Sequence, residues 1–198
     1  TIIEEHIMGI PCDVFIETHL SQPNFMEVSL AKEFVKFNER CFAMLLGDMR
    51  SYNYVVHMSI DFDKIQYRVR AMDFDQFCYE GRKNHYLPQF YKENIQVVDF
   101  CAHVLPPETI YQYQYEERSL IKKRYESAKQ RLLKLLDCME EDVLSTDEKV
   151  ATLAEDLNVY HKTTAFTGKN TMGKILRLHL NLMFEKPKLQ AHGKVRFK

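Results

Sequence analysis

The chain has 198 residues, of which 45% are hydrophobic, and it is long enough to bury one sizeable core in a single domain. Its 27 basic and 28 acidic residues give a net charge of −1, so neither nucleic acid nor an anionic membrane surface is expected as a partner. Five scattered cysteines without a Cys-x-x-Cys pair favour reduced thiols in a cytoplasmic protein, and argue against a disulfide framework or a zinc site.

The first 23 residues mix apolar and polar positions around Gly9, Pro11 and Pro23. This composition predicts a linker, or the remnant of an N-terminal lobe that is missing from the chain. A short strand or hinge is expected at residues 14–16. We expect residues 24–198 to form one domain.

A helix is predicted to follow Asn24. Asn24 and Glu27 have the spacing of a capping box, in which two side chains satisfy free backbone N–H groups at a helix start. Apolar residues then recur at helical spacing, at Leu30, Phe34, Phe37, Cys41 and Leu45. This face is expected to pack in the core, and the helix leads the chain directly into the segment that begins at Gly47.

Two short segments, residues 47–56 and 72–76, carry the polar residues of a candidate site. Asp48 can orient and deprotonate a hydroxyl group, while Asn53 and Asp73 offer amide and carboxylate oxygens. Such hard oxygen ligands suit Mg²⁺, which keeps several waters and takes only one or two protein carboxylates beside phosphates. A base together with Mg²⁺ ligands is what phosphoryl transfer requires of a protein.

The residues between these segments predict one β-hairpin. Asn53 runs into three apolar residues, residues 61–64 have turn chemistry, and the stretch from Ile65 to Met72 alternates as a returning strand. Asp73 follows where the returning strand ends. The side chains of Asp48, Asn53 and Asp73 are therefore expected to converge at one end of the hairpin.

The remainder of the chain is predicted to be mostly helical. An aromatic segment at residues 86–91 either closes a loop over the core or lines a substrate pocket. Beyond the break at Pro106 and Pro107, apolar periodicity predicts a long helix over 120–139, a helix that opens at residues 145–148 and runs through Leu157, and a helix over 171–183. The basic last forty residues are interpreted as a solvated tail.

At these segments the chain resembles the protein-kinase-like superfamily, and more closely its aminoglycoside and choline kinase branch. That branch carries His-Gly-Asp-x-x-x-x-Asn, two apolar residues, a hairpin, and then Ile-Asp-x-x-Asp or a close relative. Here Gly47, Asp48 and Asn53 match the first motif, and residues 72–75 resemble the second. The close match covers residues 45–80. Leu46 departs from the family, which usually has His or Arg there.

The resemblance implies an α+β, mostly α-helical fold, namely a protein-kinase-like C-terminal lobe with one β-hairpin that carries the catalytic and metal loops. It implies an ATP- and Mg²⁺-dependent phosphotransferase with Asp48 as base, Asn53 and Asp73 as metal ligands, and Asp75 as a further metal-site residue. Arg50 lies where relatives carry a basic or imidazole group facing the transferred phosphoryl. Gln76 either helps to hold nucleotide or satisfies loop backbone groups.

The acceptor is left open between a small-molecule hydroxyl and a protein hydroxyl. Only 47 residues precede Asp48, without a Gly-rich loop or a strand lysine. A missing N-terminal lobe or a partner domain is therefore expected to bind the nucleotide, and the chain alone is expected to be inactive. Two alternatives remain: a non-catalytic interaction domain with a kinase-like shape, motivated by Leu46, and a metal-dependent hydrolase built on Asp48, Asp61, Asp63, Asp73 and Asp75.

Overall fold

The computed structural model describes residues 9–22, 25–61 and 64–185. The fold is α+β and mostly helical, as the sequence predicts, with one small antiparallel sheet. None of the described helices is both long and apolar enough to cross a bilayer. The elements are β1 (Ile10–Pro11), α1 (Cys12–His19), α2 (Glu27–Met44), β2 (Tyr54–Asp61), β3 (Lys64–Ala71), three short 3₁₀ turns (Lys83–Tyr86, Pro88–Phe90 and Lys92–Asn94), α3 (Ile95–Val104), α4 (Pro107–Ser127), α5 (Lys129–Glu141), α6 (Asp147–His161) and α7 (Met172–Glu185).

The predicted hairpin is confirmed as β2 and β3, which pair in register from Tyr54 opposite Ala71 to Asp61 opposite Lys64. Residues 62 and 63 at its tip lie outside the described part of the chain. Strand β1 adds to the other edge of β2, with Ile10 opposite Val56. The sheet order is therefore β1-β2-β3, and the start of the chain packs beside the hairpin.

Residues 14–16, expected as a strand or hinge, instead lie inside helix α1. The helix buries Cys12, Phe15 and Ile16, and the Phe15 ring meets the Tyr67 ring edge-on at 5.4 Å between centroids. The expectation was wrong because three consecutive apolar residues carry no period of their own. The spacing that matters, 12, 15 and 16, becomes visible only when Cys12 is counted as apolar. The proposed domain boundary at residue 23 stays a prediction.

Helix α2 carries the predicted apolar face and runs between two hydrophobic clusters. It begins at Glu27, with Met26 as its N-cap and no side-chain cap, so Glu27 does not take its predicted place three residues into the helix. Asn24, the predicted capping residue, lies outside the described part of the chain. Leu30, Phe34, Phe37 and Cys41 are buried in the first cluster, together with residues of α1, the sheet and α3. The second cluster takes the end of α2, including Phe42, and is completed by α5, α6 and α7. Helix α2 therefore contributes buried side chains to both clusters, and its C-terminal end is packed in the second.

The single helix expected over 120–139 is two helices, α4 and α5, that meet at Ala128. Ala128 leaves the helical conformation (φ −111°, ψ 15°), and its N–H bonds to the carbonyls of Arg124 and Tyr125. Helix α4 packs against α2, whereas α5 packs against α7. Tertiary packing on different partners breaks a helix that the continuous apolar period in the sequence predicts to be unbroken.

The other two predicted helices are confirmed. Thr146 caps α6 by accepting the Lys149 N–H at 3.3 Å. The cap lies one residue beyond Ser145, which opens the predicted capping box and whose hydroxyl instead donates to the Tyr79 carbonyl. Gly168 has φ +78° in the turn that precedes α7. Two buried histidines join these helices, because His161 Nε2 lies 2.9 Å from His179 Nδ1, and His179 Nε2 donates to the Phe42 carbonyl at 3.0 Å.

We expect Gly173→Ala to destabilise the fold by about 2 kcal/mol, although alanine favours a helix by about 1 kcal/mol over glycine. A Cβ at residue 173 would lie 2.3 Å from the Met139 carbonyl oxygen, so α7 would have to move away from α5. The measurement is urea denaturation. Gly168→Ala is the comparison, because its Cβ meets no atom within 4 Å and only its backbone conformation is unfavourable. A Gly173→Ala chain as stable as the parent would contradict this packing.

We expect acid to destabilise the protein through His179. Burial, and then the neighbouring His161, lower the pKa of His179 from 6.5 to about 3, and Arg118 acts in the same direction. Below pH 6.5 the unfolded chain therefore binds a proton at His179, whereas the folded chain does not until the pH approaches 3. As the pH is lowered through this window, the free energy of unfolding should decrease, with a slope that approaches about 1.4 kcal/mol per pH unit.

Urea denaturation between pH 7 and pH 5 measures this slope, above the range in which ordinary carboxylates titrate. His179→Gln should flatten the slope, whereas the same change at the exposed His103 should leave it as in the parent. Equal slopes in the parent and in His179→Gln would contradict the assignment.

Candidate functional site

The candidate site begins at the C-terminus of α2, where the chain turns sharply at Leu45. Leu45 has a left-handed backbone (φ 51°), and the N–H groups of Leu45 and Leu46 bond to the carbonyls of Phe42 and Cys41 at 3.2 and 2.9 Å. This pair of bonds is a Schellman motif, which usually requires glycine at the left-handed position. Here the burial of Leu45 in the second cluster and of Leu46 in the first offsets that cost.

Backbone strain is concentrated at this junction. Of the four non-glycine residues with positive φ in the described part of the chain, three lie here: Leu45, Asp48 (φ 54°) and Cys78 (φ 51°). Each left-handed residue costs on the order of 1 kcal/mol, and such strain clusters at functional sites when the surroundings enforce it. Aspartate tolerates this conformation better than most residues. The strain supports a functional hypothesis for the loop at Asp48.

The two predicted segments lie side by side. Gly47 N–H donates to the Gln76 carbonyl at 3.1 Å, Cys78 N–H donates to the Leu45 carbonyl at 2.8 Å, and Met72 N–H donates to the Asn53 carbonyl at 2.9 Å. Glycine allows the two backbones to approach closely at position 47, since a Cβ there would lie 3.0 Å from the Gln76 carbonyl oxygen. The segment that carries Asp73 is therefore fixed against the segment that carries Asp48 and Asn53, at one end of the hairpin.

The Asp48 carboxylate is held by two side chains of its own loop. Arg50 Nε donates to Oδ1 at 2.7 Å, and Asn53 Nδ2 lies 3.3 Å from Oδ2. The Asp48 side chain is 33% exposed, so it stays open to solvent on one side. A hydrogen bond to Tyr52 and the Asp48 charge raise the pKa of Arg50, which therefore remains a cation beside the carboxylate.

The Asn53 amide has a defined orientation. Its nitrogen lies 2.7 Å from the Asp48 backbone carbonyl as well as 3.3 Å from the Asp48 carboxylate. Both of these oxygens only accept hydrogen bonds, so the NH₂ group must face them. The amide oxygen is then left without a hydrogen-bond partner among the described residues. It is available as a hard ligand next to Asp48.

Asp73, Asp75 and Gln76 form the neighbouring loop. Asp73 Oδ1 accepts the Asp75 N–H at 2.9 Å, which leaves the other carboxylate oxygen of Asp73 free of protein donors within the described residues. Asp75 is exposed, and its side chain makes no ion pair in that part of the chain. The side-chain amide oxygen of Gln76, Oε1, is buried and lacks a hydrogen-bond partner among the described residues. An orphaned buried acceptor calls for a donor or a cation.

The loop is supported by three residues to which the sequence alone assigned no role at this site, namely Tyr91, Glu93 and Asn94. The Tyr91 hydroxyl accepts the Asp48 N–H at 2.9 Å and donates to the His85 carbonyl at 2.8 Å. Burial raises the pKa of Tyr91 to about 12, so the hydroxyl keeps its proton at neutral pH. Glu93 Oε1 lies 3.5 Å from Arg50 Nη1. The aromatic run at residues 86–91 was the only signal of this support in the sequence.

Asn94 is completely buried and fixes the loop by a hydrogen bond to its backbone at Met49. Its amide nitrogen donates to the Met49 carbonyl at 2.8 Å and to the Pro88 carbonyl at 2.7 Å, and its amide oxygen accepts the Tyr54 hydroxyl at 2.8 Å. One side chain therefore ties the loop, the first hairpin strand and the 3₁₀ segment together. Both N–H donors of this buried amide and one of the two lone pairs of its oxygen are therefore used.

The described residues contain no group of three or more His, Cys, Asp or Glu side chains that could hold a metal ion. A cation at this loop would instead use the oxygens of Asn53 and Asp73 and draw its other ligands from phosphates and water, which is the pattern expected for Mg²⁺. The hydrolase alternative requires a larger carboxylate cluster. Two of its residues, Asp61 and Asp63, have side chains outside the described part of the chain.

No protein-family model matches the chain, and neither a curated protein nor a solved structure matches it. The kinase-like resemblance therefore rests on the motif residues and on the local arrangement described above.

We expect Tyr91→Phe to lower the free energy of unfolding by about 1–2 kcal/mol, because it leaves the Asp48 N–H and the His85 carbonyl without a partner. Tyr115→Phe is the matched control, since that ring is exposed on α4. Urea denaturation of the two variants measures the difference. Equal stabilities would show that the Tyr91 hydroxyl does not hold the loop.

Proposed function

We propose that this chain is the catalytic lobe of a kinase-like phosphotransferase that uses ATP and Mg²⁺. The observation that carries the proposal is the orientation of Asn53: its nitrogen is committed to Asp48, which leaves its oxygen without a partner among the described residues, and the segment of Asp73 is bonded alongside. This gives a candidate base and two candidate metal ligands on two segments that are hydrogen-bonded side by side, as phosphoryl transfer requires.

In this proposal Asp48 accepts the proton of the attacking hydroxyl and orients it. The carboxylate is partly exposed, so an acceptor can approach it, and its contacts with Arg50 and Asn53 fix its direction. Arg50 offers a positive charge two residues away. Because the transition state of phosphoryl transfer is loose, orientation by Asp48 and charge stabilisation by Arg50 matter more than a strong base.

The oxygen donors fit a hard divalent cation. Asn53 Oδ1 and the free Asp73 oxygen would hold it, with Asp75 as an exposed neighbour, and Gln76 Oε1 is an unsatisfied acceptor in the same segment. Bound Mg²⁺ would supply neutralising charge to the nucleotide phosphates. A missing N-terminal lobe or a partner domain would clamp the adenine. The acceptor hydroxyl remains to be identified, on a small molecule or on a protein.

A second candidate function is a non-catalytic interaction domain with a kinase-like shape. The observation that favours it is Leu46, which is 1% exposed and packs in the first cluster at the position where the family carries His or Arg. Its backbone forms an isolated bridge with Phe77. An apolar side chain can anchor the loop there but cannot contribute a charge or a hydrogen bond to catalysis.

The two functions differ in what Mg²⁺-ATP does to stability. At about ten times its Kd, and with the lobe or partner domain that clamps the adenine present, Mg²⁺-ATP should stabilise the parent protein by about 1.4 kcal/mol, which corresponds to a rise in melting temperature of about 3–6 °C. Asp73→Asn should abolish the rise, because it removes the charge that faces the cation. The substitution retains Oδ1, which accepts the Asp75 N–H, so the melting temperature without ligand should stay within a degree or two of the parent.

Asp99→Asn is the matched control, because Asp99 is exposed on α3, and it should keep the full ligand-induced rise. Thermal melts with Mg²⁺ alone, with ATP alone and with both complete the design. A rise that persists in Asp73→Asn would remove Asp73 from the site. No rise in the parent protein at any concentration of Mg²⁺-ATP, with that lobe or partner domain present, would favour the interaction domain.

A further inference from the structure

Apart from the loops at Asp48 and Asp73, the structure has a pocket of about 280 Å³ between the C-terminal half of α2, strand β3 and helix α4. Its lining is apolar at Phe37, Met44 and Phe74, and it carries four arginines, Arg40, Arg68, Arg70 and Arg124. None of these residues belongs to the proposed catalytic or metal-binding set, although Phe74 follows Asp73 directly in the chain.

Arg40 is already neutralised and has a structural role. Its guanidinium lies 3.4 Å from Glu33 and 3.2 Å from Glu117, and it donates to the Val69 carbonyl at 3.0 Å. The side chain is only 18% exposed. The bond to Val69 also occupies a backbone acceptor of β3, so this stretch of the strand is not free to pair with another strand.

The other three arginines are exposed, and none of them forms an ion pair with a described residue. Arg68 and Arg70 are two residues apart on β3 and therefore lie on one face of this edge strand, opposite the buried side chain of Val69, while Arg124 comes from α4. In a chain whose net charge is −1, three arginines that line one pocket and have no ion-pair partner among the described residues form a local positive patch. Arginine is the residue best suited to grip carboxylates, because its planar fork donates two parallel hydrogen bonds.

The size of the pocket decides what can occupy it. A volume of about 280 Å³ is at or below the lower limit of typical cofactor and ligand sites, which run from about 300 to 1,000 Å³. This space suits a single side chain of a docked segment rather than a whole cofactor. Met44 is 40% exposed and Phe74 is 55% exposed, so such a side chain would cover apolar surface that now faces water. Its flanking residues would then lie against the three arginines.

We propose that this pocket docks an acidic peptide segment of a partner protein. One bulky apolar side chain of the segment fills the pocket, and carboxylates on either side pair with Arg68, Arg70 and Arg124. The apolar contact supplies affinity, and the charge complementarity sets the orientation and speeds the encounter. The site does not depend on the proposed phosphotransferase function, and its test measures binding alone.

The probe is a fluorescein-labelled peptide with a central phenylalanine and three aspartates on each side, titrated with the full chain and followed by fluorescence anisotropy. Replacing the phenylalanine by serine should weaken binding at least about tenfold, since the apolar contact is lost. Replacing the aspartates by asparagines should abolish measurable binding. Both comparisons use the unchanged protein, so they do not depend on the folding of any variant.

Arg68→Gln, Arg70→Gln and Arg124→Gln should each weaken the peptide about threefold to fivefold, the size of an exposed ion pair, and Met44→Ser should weaken it further. Arg131→Gln is the matched control, because it removes the same charge from an exposed position on α5 and should leave the affinity unchanged. Urea denaturation of each variant verifies that the fold is retained.

Three outcomes would overturn the proposal. The first is an absence of peptide binding to the parent chain. The second is equal weakening by Arg131→Gln and by the pocket arginines, which would indicate attraction by net charge alone. The third is arginine-dependent binding to vesicles that contain anionic lipid without binding to the peptide, which would assign the patch to a membrane surface instead.

Discussion

The left-handed turn at Leu45 is the constraint on which the site depends. It ends α2 after a run of buried residues and sends the chain at once into Gly47 and Asp48. The same residue accepts the Cys78 N–H, so the second loop is tied to the point where the first one starts. A leucine in this conformation is unfavourable by itself. It persists because Leu45 and Leu46 are buried in different hydrophobic clusters, and this burial offsets the cost of the turn.

The loop at Asp48 is then held from the side of the 3₁₀ segment rather than by a polar residue that precedes it. Leu46 supplies only packing, whereas Tyr91 and Asn94 supply five hydrogen bonds that involve the loop, the hairpin and their own segment. Fully satisfied buried polar groups rigidify their surroundings, and a partly satisfied group would be costly. Residues 88–94 therefore position the loop through hydrogen bonds that the apolar side chain of Leu46 cannot make.

Sequence reasoning succeeded where the signal is local. The period of Leu30 to Cys41 specifies α2, the alternation on both sides of residues 61–64 specifies the hairpin, and Thr146 specifies the start of α6. The side-by-side arrangement of the two candidate loops followed from the hairpin. Whether Asp48, Asn53 and Asp73 act as base and metal ligands stays a prediction, because their chemistry is not tested by their geometry.

What the sequence did not reveal depends on contacts between distant residues. Ala128 breaks a helix because α4 and α5 have different partners, and nothing near Ala128 in the sequence signals a stop. Tyr91 and Asn94 are ordinary loop residues until the fold brings them to Asp48 and Met49. The arginines are as scattered, since Arg68 and Arg70 come from a strand and Arg124 from a helix more than fifty positions away.

The Asp48 carboxylate is paired with Arg50 and Asn53 but stays partly exposed, on a backbone that is itself strained. Asp48 would be most stable if Arg50 and Asn53 enclosed its carboxylate completely, but the side chain keeps a third of its surface in water. The left-handed backbone at Asp48 and the Tyr91 hydroxyl that accepts its N–H fix the position from which this side chain leaves the loop. The carboxylate is thus paired on one side and accessible on the other. A group that must orient a ligand's hydroxyl needs that division, because its direction is set before the ligand arrives and no rearrangement is required afterwards.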